Sequence, residues 1–165
     1  MALVRAVLVG ALVFAIAGCG GDVRVSRSAK FSATVDRVVD GDTIVVRFSG
    51  RSEKVRILGV NTPETVSPKV GVQCYGPQAS AYTHARLPAG TRVTLETDVE
   101  VRDKYGRLLA YVYVGGDRFD DDLLRLGYGR LLIIPPNGEY ARVMMEEELQ
   151  AKSTRSGLWG ACPAS

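Results

Sequence analysis

Histidine is all but missing from this chain: there is one, His84. It falls on the expected surface of a helix, and we expect it to act neither as a base nor as a metal ligand. Cysteine is scarce too, three in 165 residues, so each one has to be accounted for singly. Charge of one sign is not in excess: 21 Lys and Arg against 18 Asp and Glu give a formal +3. Net charge therefore argues neither way, and a polyanionic partner would have to be met by cations gathered in one place. A bilayer-spanning hydrophobic run is also missing. The apolar stretch at residues 6–17 has 12 residues, too short to cross a membrane comfortably. Repeats and low-complexity segments are absent. What remains, 46% apolar and 24% charged residues, is an ordinary globular composition of one-domain length.

The short apolar run has a use at an N-terminus. With Arg5 before it, it reads as a signal peptide over residues 1–18. Ile16-Ala17-Gly18-Cys19 then resembles the lipobox of bacterial lipoproteins, which would make Cys19 the lipidated mature N-terminus. Ordinary cleavage after Ala15-Ile16-Ala17 is the competing reading. Residues 19–30 form a small, polar tether. The expectation is an exported protein, held by a lipid anchor on the outer face of a bacterial cell membrane or secreted. Export leaves Cys74 and Cys162 as an even pair in a compartment that permits disulfides. A bridge between them would close a loop of about 90 residues and stabilise by about 3–5 kcal/mol. Two free thiols are the alternative.

Alternation with period two marks strands. It puts Phe31, Ala33 and Val35 on one face, then Ile44, Val46 and Phe48, then Val55, Ile57 and Gly59. Turn residues at 40–42 and 49–52 separate these three. Residues 76–87 read as a helix opened by Gly76-Pro77, with Ala79, Tyr82 and Arg86 on one side. A fourth strand at 91–97 and a fifth at 107–114 follow, with Gly115-Gly116 as a tight turn. Helices are expected at 120–126 and 139–156, the latter carrying Val143, Met144 and Leu149. Five strands with a helix between the third and fourth imply an α+β fold, a closed OB-type barrel with three helices over residues 31–160.

The meander brings the chemistry together. The turn at Asp40-Gly41-Asp42-Thr43 and the exit of the third strand, Asn61-Thr62-Pro63-Glu64-Thr65, lie at the same end of an antiparallel sheet. Asp42, the Asn61 amide oxygen and a carbonyl near Thr62 can converge there as oxygen ligands for a hard cation such as calcium. Glu64 is then positioned to accept a proton from an attacking water. Arg56 lies five residues before Asn61, about 16 Å along a straight strand. It reaches the same point only if the strand curls, with Gly59 the candidate bend. Arg107 opens the fifth strand after the tight turn Asp103-Lys104-Tyr105-Gly106, and alternation alone does not say which way it faces. Each stretch by itself also fits a plain turn or a solvent-facing strand. The run Asp120-Asp121-Asp122 fits a helix first turn and is a poor metal site, because its carboxylates fan out around the axis.

In combination these motifs resemble the staphylococcal nuclease family of calcium-dependent phosphodiesterases. The resemblance runs from about Ser32 to Trp159 and also includes Tyr75-Gly76-Pro77-Gln78-Ala79-Ser80 and Gly157-Leu158-Trp159. It implies Asp42, Asn61 and the Thr62 carbonyl at a calcium ion, Glu64 on the water, and Arg56 and Arg107 on the scissile phosphate. Lys104 and Tyr105 would line the nucleotide pocket, the substrate would be DNA or RNA, and the products would carry 3′-phosphates. Two departures stand out. Asn61 replaces a second metal-binding aspartate, which lowers the ligand charge and so the expected calcium affinity. Aliphatic residues around Ile133, and Pro135, replace the family's tyrosines, which weakens base stacking. A monomer is the default expectation. The alternative function is a non-catalytic OB module that binds nucleic acid.

Overall fold

The computed structural model describes residues 29–163. The expected signal peptide, Cys19 and nearly all of the tether lie outside the described residues. The described strands are β1 (Lys30–Asp40), β2 (Thr43–Phe48), β3 (Arg51–Ile57), β4 (Gly59–Asn61), β5 (Arg92–Glu96), β6 (Leu108–Val114), β7 (Asp117–Arg118) and β8 (Arg130–Leu132). The helices are α1 (Gly76–Arg86), α2 (Phe119–Arg125), α3 (Ala141–Ser153) and the single turn α4 (Leu158–Ala161). No helix among the described residues is long and apolar enough to cross a membrane.

Five strands close into the barrel that the pattern implies, in the order β3-β2-β1-β5-β6. A parallel pairing of β3 with β6 shuts it. One long strand makes closure possible. The first half of β1 pairs with β5 and the second with β2, and register shifts at Val35/Arg37 and Val38/Asp40 bend it between the two. The inward side chains Ile44, Val46, Val55, Ile57 and Leu95 fill the barrel. Leu87, Phe119, Leu123, Leu124 and Met144 seal it from the helical side.

Several details depart from the sequence expectations. The third strand does not run through to Gly59; it breaks at Leu58, and β4 then pairs with β8, which alternation over so few residues did not reveal. Gly59 has φ 75, and a Cβ there would meet the Met144 sulfur at 2.2 Å, so the bend needs glycine for both conformation and space. Along α1 the fully enclosed side is Gly76, Ala79 and Thr83, with Arg86 exposed. The last long helix starts at Ala141 rather than 139. It buries Met144, Glu148 and Ala151, while Val143 and Leu149 face out. Those three repeat at the helical period, and the Glu148 carboxylate hides among them by accepting from the Leu131 amide and pairing with Lys152.

Candidate active site

The β1–β2 turn is built for oxygen atoms. Asp40 Oδ1 accepts from the Gly41 amide at 2.9 Å and from the Thr65 hydroxyl at 2.6 Å. Asp42 Oδ1 takes the Thr43 hydroxyl at 3.0 Å, and Oδ2 takes the Thr62 amide at 3.0 Å. The two aspartates thus bind the turn to the loop that follows β4. Gly41 permits the contact, since a Cβ there would lie 2.6 Å from the Thr62 hydroxyl oxygen. From behind, the Thr83 hydroxyl of α1 donates to the Gly41 carbonyl at 2.7 Å.

Arg56 is delivered by the break in the strand. With the chain turned at Leu58 and Gly59, its Nη1 donates to the Ile57 and Val60 carbonyls, the latter at 2.7 Å. Its Nη2 reaches Asn61 Oδ1 and Asp42 Oδ2, each at 3.2 Å. Burial pulls the guanidinium below its usual pKa; the Asp42 charge opposes this and the nearby Arg107 adds to it. Arg107 is anchored separately: its Nε donates to Asp103 Oδ2 at 2.7 Å. The other Asp103 oxygen accepts the Tyr105 and Arg107 amides and so closes the turn.

Glu64 folds back over its own loop. Its Oε1 accepts the amides of Thr65, Val66 and Ser67 at 3.0, 2.9 and 3.2 Å. Contact with the Asp40 carboxyl, and then those amides, hold it below the usual glutamate range, so it is ionised at neutral pH. Asp40 moves the other way: burial raises it, the Thr65 hydroxyl opposes, and Glu64 raises it further. Gln73 fastens this loop in both directions, its amide oxygen on the Glu64 N–H at 2.8 Å and its own N–H on the Glu64 carbonyl at 2.9 Å. The next residue, Cys74, is disulfide-bonded to Cys162, 88 positions further on.

Asp42, Arg56, Asn61, Thr62, Glu64, Lys104, Tyr105 and Arg107 all line one cleft of about 840 Å³. Lys104 and Arg107 lie over the exposed Tyr105 ring at 5.1 and 5.6 Å. The far wall is aliphatic, with Leu132, Ile133 and Ile134 where an aromatic wall would stack bases better. His84 is exposed on α1. Asp40 and Asp103 were read from sequence only as parts of their turns, and Thr83 and Gln73 not at all, although each holds a site residue or its loop. For Asp40 a signal existed, since Asp-Gly-Asp carries two carboxylates and only one had been assigned.

The arrangement offers two guanidiniums for a phosphate and a carboxylate whose second oxygen is not used by the amides. It also offers mixed oxygen donors from Asp42, Asn61 and Thr62. Those donors suit a hard cation. The buried Thr62 hydroxyl oxygen beside them has no hydrogen-bond partner. Among the described residues no three acidic, histidine or cysteine side chains form a metal cluster, so such a cation would be held by few charges.

Parts for hydrolysing a phosphodiester on an OB barrel define a class, and comparison with known proteins agrees. Residues 54–161 match the family model for staphylococcal nuclease homologues. The chain is 43% identical over 128 residues to a thermonuclease of Staphylococcus intermedius, covering 78% of this chain and 76% of that one. It is 40% identical over 125 residues to the thermonuclease of Staphylococcus hyicus, covering 76% and 73%. It is 42% identical over 130 residues to the endonuclease YncB of Bacillus subtilis, covering 78% and 61%. The chain belongs to the staphylococcal nuclease family. It is a nuclease, a hydrolase acting on nucleic acid.

Proposed function

We propose that this nuclease is calcium-dependent, cleaves DNA or RNA to 3′-phosphorylated products, and works outside the cytoplasm on a lipid tether at Cys19. The observation that carries the site reading is the seat of Arg56. One guanidinium touches Asp42 and Asn61 in a cleft that Glu64 and Arg107 also line. Arg56 and Arg107 bind the non-bridging oxygens and stabilise the charge that builds on phosphorus, a task for which forked donors outperform an ammonium. Glu64, ionised at neutral pH, orients the attacking water and takes its proton. Lys104 and Tyr105 hold the neighbouring nucleotide. A calcium ion, held by Asp42, the Asn61 amide oxygen and the Thr62 carbonyl, supplies electrostatic stabilisation of the phosphate when bound. With Asn61 in place of an acid, half-maximal activity falls in the millimolar range of calcium, where sites of low ligand charge operate.

Digestion of denatured DNA, with calcium and then with chelator, tests the reading. Glu64→Gln lowers the rate about 10²–10⁴-fold, and the fragments carry 3′-phosphate ends. Cleavage that survives both chelation and Glu64→Gln removes this mechanism. For the tether, Cys19→Ala releases the protein from membranes; a variant that stays bound refutes lipidation there.

A further inference from the structure

β3 carries a second cation into the cleft that the catalytic reading does not use. Lys54 stands two residues before Arg56, hence on the same face of the strand, and both side chains line the cleft. The parallel register pairs Val55 with Leu108, so one step back it sets Lys54 beside Arg107. Three arginines around it each have a carboxylate: Arg56 has Asp42, Arg107 has Asp103, and Arg102 has Glu53. Lys54 is exposed and, among the described residues, is in none of the ion pairs. An unpaired ammonium set beside a guanidinium is repelled by it, and the arrangement becomes favourable when an anion lies between or alongside them.

The two seated arginines are each held by a carboxylate and are fixed in direction. Lys54 differs in having a long flexible stem, a point charge and no fixed geometry. Those are the properties of a group that follows a backbone rather than one that grips a reacting centre. In a nucleic acid the nearest anion to a bound phosphate is the next phosphate of the same strand.

We propose that Lys54 binds the phosphate adjacent to the scissile one, making the enzyme favour a polynucleotide over a single isolated phosphodiester. This rests on the placement of the scissile phosphate at Arg56 and Arg107. The subsite runs along β3, from the Arg56 end toward the β2–β3 hairpin, and contributes to affinity with no demand on base identity.

The experiment compares kcat/KM on a long single strand with kcat/KM on a dinucleoside monophosphate, which has no second phosphate. In Lys54→Ala the ratio of the two falls about tenfold, chiefly through KM on the long substrate. The log–log salt dependence of that KM becomes shallower by about 0.7, the share of one phosphate contact on a single strand. Lys54→Arg restores most of both. Arg51→Ala, an equal loss of charge on the same strand at the hairpin tip, is the control for overall electrostatics. A ratio unchanged in Lys54→Ala, or lowered equally in Arg51→Ala, overturns the inference while leaving the catalytic reading intact. Full activity of Arg56→Lys on both substrates would overturn the site assignment, and the Lys54 subsite with it.

Discussion

Two arginine–carboxylate pairs are buried in this barrel, and they have opposite characters. Arg56 with Asp42 has side chains 12% and 11% exposed; Arg118 with Asp120 has 8% and 0%. By burial alone they are near twins. Yet Arg56 opens on a wide cleft, and the hydroxyl oxygen of its neighbour Thr62 has no hydrogen-bond partner. Arg118 is closed in: it lies over the Tyr140 ring at 3.9 Å, its Nη2 is bonded to Asp121, and Asp120 accepts the Val112 amide at 3.1 Å. Burial works against the charge of Arg118, but Asp121 and Asp120 outweigh it and raise its pKa. Asp120 is less well compensated, and its enclosure lifts its pKa to about 7 despite the arginine. A perturbed buried carboxylate is therefore no guide to a catalytic site on its own. What distinguishes the working pair is access.

Parallel Arg→Lys exchanges put that contrast to its hardest test. Arg56→Lys keeps a positive charge against Asp42 but loses the fork, and activity falls about 10²–10³-fold with little change in urea midpoint. Arg118→Lys does the reverse: activity stays within a few-fold while stability drops by about 1–3 kcal/mol. If both variants lose activity equally, the division between a working and a structural pair fails.

Asp120 sharpens the structural side. Its folded pKa of about 7 lies above the ordinary aspartate value of 3.8, so the folded state holds the extra proton between them. The stabilisation is full below the lower value and is lost as pH rises through the upper one. Asp120→Asn, which stays neutral, lacks this loss. Its stability relative to the parent should rise by about 1–3 kcal/mol from pH ~5 to ~8, read by urea unfolding. A constant difference across that range would mean that the carboxyl does not titrate there.

The smallest effect belongs to the scaffold of the working side. Thr83→Val removes the donor to the Gly41 carbonyl and leaves it buried, costing about 1–2 kcal/mol by thermal or urea unfolding. It should also lower activity a few-fold through the aspartate turn. Unaltered stability would show that Gly41 finds another donor.

Much of this was legible in sequence because the signals were local. Alternation in β1–β3 and turn residues at 40–42 and 49–52 gave a meander, and a meander puts the Asp42 turn and the Glu64 loop at one end. The need for a bend near Gly59 followed from arithmetic along the strand, and the structure answers it there. What was illegible depends on contacts distant in sequence. Arg107 could not be oriented until β6 paired with β3. Thr83 looked like one more helix residue until α1 docked under the turn. Strand β8 is three residues long, too short for a period, and exists because β4 presents an edge. The enclosed face of α3 includes a glutamate, which a search for apolar stripes passes over.

The link from Cys74 to Cys162 gives the molecule an unusual topology under attack. Everything between those positions, including α1, strands β5 to β8, α2 and α3, belongs to a covalent ring. A protease that cuts the ring once leaves a single molecule, its two parts still joined through the bridge beside the segment that carries Glu64. A second cut inside the ring, or a reductant, then sets a fragment free.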